Sequence, residues 1–173
     1  MITHPDSYDP ALTIVLRVGI LIGVAGTIGA IAPIVTPADL LIMSRALAKL
    51  GAQNTAVFIA LAAEVGSRNV AFYQRSHAEL LAAHSTELGG IARFITVAGR
   101  VVAVTRSGNV VAAFTFDGLV WTPVPQRTFR EVTAELPRGA GPPVFATTGA
   151  VTPMAAAEIG KLGWKVVHLK PPH

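Results

Sequence analysis

The feature that most constrains this chain is a long apolar stretch, TIVLRVGILIGVAGTIGAIAPIVTP, in which Arg17 is the only charged residue. A helix over residues 12–35 would be about 36 Å long at about 1.5 Å per residue, which exceeds a hydrocarbon thickness of about 30 Å. Arg17 and Pro33 fall near the ends of this helix, where a base and a missing amide are tolerated. The stretch therefore predicts an uncleaved membrane anchor.

The composition also favours a membrane location. Apolar residues make up 51% of the chain and charged residues 14%, against about 25% charged residues in an ordinary soluble domain. The charges are unevenly placed, because residues 67–173 hold eleven bases and six acids. This basic part suits an acidic partner such as anionic membrane lipid, whereas nucleic acid is not expected because no recognised nucleic-acid-binding motif is present.

Basic residues near the apolar stretch predict its orientation. Arg45 and Lys49 follow the stretch, while Arg17 stands near its start. Because the cytoplasmic flanks of membrane helices carry the excess of lysine and arginine, the C-terminal domain is expected to be cytoplasmic, at a bacterial inner membrane.

Two glycines inside the stretch, Gly19 and Gly23, form a small-xxx-small pair that lets helices approach closely. They predict helix association and hence a homo-oligomer. The alternative is that these glycines only reflect the high glycine content of membrane helices. A glycine-rich phosphate loop at Gly23, Gly26 and Gly29 is a poor fit, because the spacing departs from G-x-G-x-x-G.

Three helices are predicted between the apolar stretch and residue 90. The first, TPADLLIMSRALAKLG, begins at the N-cap Thr36 and ends at Gly51, and its amphipathic pattern fits either the membrane surface or a packed domain. The second, residues 54–65, is too short to span a membrane and is expected to be buried or interfacial. The third begins at the cap Ser67 and stops at Gly89.

From Ile91 the pattern changes to short runs rich in β-branched residues, ARFITVAG, RVVAVT, NVVAAFTF and LVWTPV, separated by glycine-containing turns. They predict an antiparallel meander, and a helix over residues 126–136 is expected to cover the face shared by Val110, Phe114 and Phe116. The end of the chain, VFATTG, TPMAAAEIGKLG and WKVVHLK, has the strand, helix and strand order of a β-α-β unit.

The predicted fold class is therefore α+β. An N-terminal hydrophobic, transmembrane helical segment is followed by a small domain with an antiparallel β-meander and a C-terminal β-α-β unit. The chain divides into a tail and membrane anchor at residues 1–36, an amphipathic helical region at residues 37–90, and an α+β globular domain at residues 91–173.

The most site-like feature is the turn at Thr147, Thr148 and Gly149, between a predicted strand and a predicted helix. Amide groups before a helix can bind an anion, and Lys161 and Lys165 follow nearby in the sequence. The turn is thus a candidate anion or phosphate site. An ordinary capped turn, which needs no ligand, explains the same residues.

The remaining chemistry-bearing residues form no recognisable centre. His77 and His84 are seven residues apart on one predicted helix, hence about 10 Å apart, so one metal cannot take both, and we expect them to be solvated. The chain has no cysteine, no G-x-S-x-G elbow and no acid pair in a known motif. The sequence predicts no metal and no cofactor, and it leaves open whether the chain is an enzyme.

These observations predict a membrane-anchored interaction or assembly subunit, whose apolar helix is embedded in a membrane complex and whose basic α+β domain binds another protein subunit. The alternative is a small enzyme, or a nucleotide- or phosphate-binding effector, that uses the turn from Thr147 to Gly149.

If Gly19 and Gly23 form a helix-association face, replacing both with isoleucine will weaken self-association in detergent without unfolding the C-terminal domain, because bulky side chains prevent close helix approach. Chemical crosslinking measures the oligomer distribution. An unchanged distribution in the Gly19→Ile, Gly23→Ile variant would reject this face.

Overall fold

A computed structural model describes residues 36–63 and 68–171, which form an α+β arrangement of five helices and a mixed five-stranded sheet with a two-stranded extension. The elements in chain order are α1 (Pro37–Leu50), α2 (Thr55–Ala63), α3 (Arg68–Ala83), β1 (Ile91–Val97), β2 (Arg100–Thr105), β3 (Asn109–Phe114), β4 (Gly118–Leu119), α4 (Pro123–Ala134), β5 (Gly141–Thr147), β6 (Ala150–Val151), α5 (Pro153–Lys161) and β7 (Lys165–His168).

The predicted anchor at residues 12–35, which contains Gly19 and Gly23, lies outside the described residues. Within residues 36–63 and 68–171, no helix is both long enough and apolar enough to cross a bilayer.

Helix α1 begins and ends where its capping residues predict. The Thr36 hydroxyl accepts a hydrogen bond from the Asp39 amide at 3.1 Å, and the Asp39 carboxylate accepts one from the Thr36 amide at 3.3 Å. Gly51 ends the helix in the left-handed conformation. The apolar side of α1, including Met43 and Leu47, is buried, so this helix packs on the domain.

The main sheet has the strand order β1-β2-β3-β5-β7. Strands β1, β2 and β3 form an antiparallel meander, while β3 pairs in parallel with β5 and β5 with β7. The short strands β4 and β6 continue beyond the carboxyl ends of β3 and β5 as a separate parallel pair. The predicted meander and the final β-α-β unit are therefore present, joined by a second parallel crossover through α4.

Helices cover both faces of the sheet. On one face α1, α2 and α3 pack against side chains such as Val111 and Ala113. On the other face α4 and α5 pack against Val110 and Ala112. The predicted common face of Val110, Phe114 and Phe116 is confirmed, since Val110 belongs to the core under α4 and α5 and the half-buried Phe114 and Phe116 pack against that core.

Three predicted boundaries are wrong. The run LVWTPV is not a fourth meander strand, because Gly118–Leu119 leaves the main sheet to pair with β6 and a helix begins at Pro123. Helix α4 therefore spans Pro123–Ala134 rather than residues 126–136. Helix α3 ends at Ala83, and turns occupy the residues up to Gly89.

Gly149 lies where β5 passes into β6 and crosses the backbone that follows β3. A Cβ atom at this position would overlap the carbonyl oxygen of Phe116. Gly149 is not among the glycines with positive φ, so close backbone approach, and not a special conformation, requires glycine here.

We expect Gly149→Ala to lower the free energy of unfolding by about 3 kcal/mol, because the strands around it would have to separate. The matched control is Gly160→Ala in α5, where a Cβ meets no other atom and a helical glycine is replaced by a better helix former, for a gain of about 0.5–1 kcal/mol. Thermal unfolding of the full chain distinguishes the two. Equal melting temperatures for the two variants would contradict this account of Gly149.

Candidate binding cleft

The carboxyl ends of β3, β5 and β7 border an open cleft of about 440 Å³. In open sheets, ligands commonly bind outside the carboxyl ends of parallel strands, where the loops that follow the strands form the surface. We call this site the carboxyl-edge cleft. Its lining comprises Phe72, Arg75, Ser76 and Glu79 of α3, together with Thr115, Phe116, Asp117, Thr148 and Pro171.

Arg75 is the central charged residue of this cleft. Its guanidinium contacts the Asp39 carboxylate at 3.3 Å and the Glu79 carboxylate at 3.4 Å. The Thr36 hydroxyl, together with Arg75, holds the pKa of Asp39 below its ordinary value, so Asp39 stays ionised and fixes Arg75. The cleft lining has one base and two acids, Glu79 and Asp117. It is therefore better suited to hydrogen-bond donors and cations than to a free anion.

The structure divides the predicted anion site. Thr148 lines the cleft, whereas Thr147 is fully buried. The Thr147 hydroxyl accepts a hydrogen bond from the Gly149 amide at 3.1 Å, and the next amide, of Ala150, donates to the Asp117 carbonyl at 3.0 Å. Two of the amides that would face an anion are therefore used inside the fold.

The two lysines near this turn in the sequence are placed elsewhere. Lys161 pairs with Glu158 at 2.6 Å. Lys165 stands at the start of β7 opposite Val144, while Thr147 is opposite His168 at the other end of that strand. Helix α5 begins only after β6, and its N-cap Thr152 accepts a hydrogen bond from the Ala155 amide at 3.3 Å. The predicted strand, turn and helix are thus not directly consecutive.

Among the described residues, four large apolar side chains are largely exposed, one in the cleft and three elsewhere on the domain. Phe72, Val120, Val124 and Met154 are between 60% and 65% exposed. Phe72 lines the cleft, while the other three follow β4 or begin α4 and α5. An exposed aromatic side chain such as Phe72 beside hydrogen-bonding groups is a common feature of protein interaction surfaces.

His77 is buried on the sheet side of α3, so the expectation of a solvated histidine is wrong for this residue. Its ring is stacked on Phe114 with centroids 6.1 Å apart and lies 5.1 Å from the Phe58 ring. The Nε2 atom has no hydrogen-bond partner among the described residues. Burial lowers the pKa of His77 from 6.5 to about 4, and burial raises the pKa of the neighbouring Tyr73 hydroxyl.

His84, by contrast, is half-buried and uses both ring nitrogens. Nδ1 lies 2.9 Å from the Glu87 carboxylate and Nε2 lies 2.8 Å from the Lys170 carbonyl. Across the described part of the chain, no group of three or more histidine, aspartate or glutamate side chains is close enough to hold a metal ion.

The cleft is not predicted from the sequence because the parallel crossover from β3 through α4 to β5 is not predicted. Asp117 follows the run NVVAAFTF, and Thr148 follows VFATTG, with a predicted helix between the two runs. Strand, helix and strand in this order indicate a β-α-β unit. That order would have placed Asp117 and Thr148 at the same sheet edge.

The described geometry provides no family assignment by itself, and comparison with family models, curated proteins and solved structures finds no match to this chain.

The buried His77 predicts an acid-sensitive fold. In the unfolded chain the imidazole titrates near 6.5, whereas in the fold its pKa is about 4, so the unfolded state takes up the proton first as the pH falls. Above pH 6.5 this residue does not affect the pH dependence of stability, and between pH 6.5 and pH 4 it removes about 3 kcal/mol.

We therefore expect His77→Leu to be no less stable than the parent at pH 7, because an unpaired nitrogen is removed, and to lose less stability on acidification. Thermal unfolding of the full chain in mild detergent at pH 7 and pH 4.5 measures both effects. The control, His84→Gln, retains the acid sensitivity of the parent. The same acid-induced loss in His77→Leu and the parent would refute the role of His77.

Proposed function

We propose that this chain is a membrane-associated assembly subunit. Residues 12–35 hold it in a bacterial inner membrane, residues 36–171 lie on the cytoplasmic side, and the carboxyl-edge cleft with its exposed Phe72 binds another protein subunit at the bilayer. The observation that carries this proposal is Phe72, a largely exposed aromatic side chain that lines a cleft whose arginine is held between two carboxylates.

The path of the chain supports a membrane-proximal position for this surface. Thr36, which follows the apolar segment, bonds to Asp39, and Asp39 contacts Arg75 in the cleft. Thr36, the first residue that the structure describes, is therefore linked through Asp39 to an arginine of the cleft. A partner that is itself embedded in the membrane would meet this side of the domain first.

The mixed character of the surface favours protein over lipid as the main occupant. Typical protein interfaces combine an apolar centre with hydrogen-bonding groups, and the cleft offers Ser76, Thr115 and Thr148 beside Phe72. The two acids of the cleft, Glu79 and Asp117, would repel anionic headgroups. Anionic lipid is better matched by the exposed bases Arg45 and Lys49 of α1, which line an adjacent shallow groove together with Glu79.

The membrane part of the proposal predicts that the full chain resists carbonate extraction. Placing two arginines in the segment, as Leu21→Arg with Val24→Arg, should release the protein, because each arginine costs about 2.5–3.5 kcal/mol at the centre of a membrane helix. The control Ala11→Arg puts a base before the segment and should remain in the membrane pellet. Release of the parent chain by carbonate would overturn the proposal.

The partner-binding part can be tested by photocrosslinking in membranes. A photoreactive residue at position 72 should yield a discrete adduct with a protein, whereas the same residue at Arg138, an exposed position in the connection from α4 to β5, should not. An adduct of twice the chain mass would identify the partner as a second copy. Equal labelling at both positions, or labelling of lipid alone at position 72, would contradict a protein-binding cleft.

The alternative function, a nucleotide- or phosphate-binding effector, rests on Thr148, which lines the cleft. The engaged amides of Gly149 and Ala150 and the distant placement of Lys165 give this alternative less support. A titration of the full chain with inorganic phosphate and nucleotides, followed by the amide shifts of residues 147–155, tests it directly.

A further inference from the structure

A second concave site lies between α4 and the sheet. It is a cavity of about 200 Å³. Ala112 of β3 lies against it, and Phe129, Phe145 and Trp164 form much of its wall. It is distinct in character from the carboxyl-edge cleft, because most of its described lining residues are apolar.

The aromatic wall is held in place by ring packing. The rings of Phe129 and Phe145 meet edge to face with centroids 5.0 Å apart, and those of Phe129 and Trp164 do so at 5.5 Å. The Trp164 indole N–H donates to the Thr133 hydroxyl at 2.7 Å, so its polar atom is already satisfied. An ordered water needs two to four polar partners, and this wall offers none, which favours an apolar occupant.

Arg100 and Thr128 are polar residues that line the cavity. Arg100 is the one charged residue among its described lining residues, and Thr128 is beside it, with Nη2 of the guanidinium 3.4 Å from the threonine hydroxyl. Nη1 donates to the Ala98 carbonyl at 2.8 Å and lies 3.7 Å from the Glu131 carboxylate. This ion pair is solvent-exposed and long, so it competes only weakly with a carboxylate that arrives from the cavity.

We propose that this cavity binds a small organic acid whose apolar body has the size of a single aromatic ring and whose carboxylate meets Arg100. Apolar cavities of about 150 Å³ are known to bind benzene, so the observed volume is sufficient for one ring and a short chain. Arginine binds carboxylates through two parallel N–H groups. Arg100 therefore favours a ligand that carries a carboxylate over one that carries a neutral or basic group. This site goes beyond the proposed assembly function.

The test uses the full chain in digitonin, whose steroid body is too large for this cavity. The probes are 3-phenylpropanoate, 3-phenylpropan-1-ol and 3-phenylpropylamine, which share a body and differ in charge. Binding is followed by tryptophan fluorescence, because Trp164 lines the cavity. We expect the acid to bind about tenfold more tightly than the alcohol, and the amine more weakly than both.

Two variants test separately the binding of the apolar part of the ligand and the binding of its carboxylate. Ala112→Leu fills the cavity and should abolish binding of the acid and the alcohol. Arg100→Gln should make the acid and the alcohol bind equally. Its matched control is Arg127→Gln, since Arg127 also pairs with Glu131, at 3.9 Å, but does not line the cavity.

The proposal is overturned if the acid fails to bind at millimolar concentration, if the acid and the alcohol bind equally to the parent, or if Arg100→Gln and Arg127→Gln behave alike. Binding that survives Ala112→Leu in a folded protein also overturns it. Should Ala112→Leu fail to fold, the comparison of the two surface arginines still decides the question.

Discussion

The burial of β3 on both sides of the sheet is the constraint on which the rest of this fold depends. Val110 and Ala112 face the core under α4 and α5, while Val111 and Ala113 face the core under α1, α2 and α3. Parallel strands are joined by crossovers and need both faces covered, so a chain with this central strand must supply helices on each side. Two cores within residues 36–171 account for part of the high apolar content, separately from the segment at residues 12–35.

The parts of the fold that could be predicted are those set by local chemistry. Thr36-Pro37 and Thr152-Pro153 begin helices, as threonine caps followed by proline commonly do. The same pair at Thr122-Pro123 begins α4, although the Thr122 side chain makes no capping hydrogen bond. The apolar run LVW before this pair predicts a strand instead, and with a strand there the crossover that creates the cleft is not predicted.

The parts that could not be predicted depend on contacts between distant residues. The parallel pairing of β3 with β5 joins residues that are far apart in the sequence, so no local pattern specifies it. The sequence analysis predicts a solvated His77. Its spacing from Tyr73 and Leu81, however, places all three residues on one side of α3, which is the buried side. The exposure of Phe72 is likewise not predictable from the sequence, because exposure of an apolar side chain is a property of the assembled fold.

The position of the perturbed titratable groups also bears on what the cleft can do. His77 and Tyr73 have strongly shifted pKa values, but they lie between α3 and the sheet and do not line the cleft. A general acid or base must reach the proton that it transfers, which a group enclosed by Phe58 and Phe114 cannot do without opening the core. In the cleft itself, Arg75 is held between two carboxylates and serves to fix the surface. This fixed arrangement of charges supports the proposal that the cleft is a binding surface.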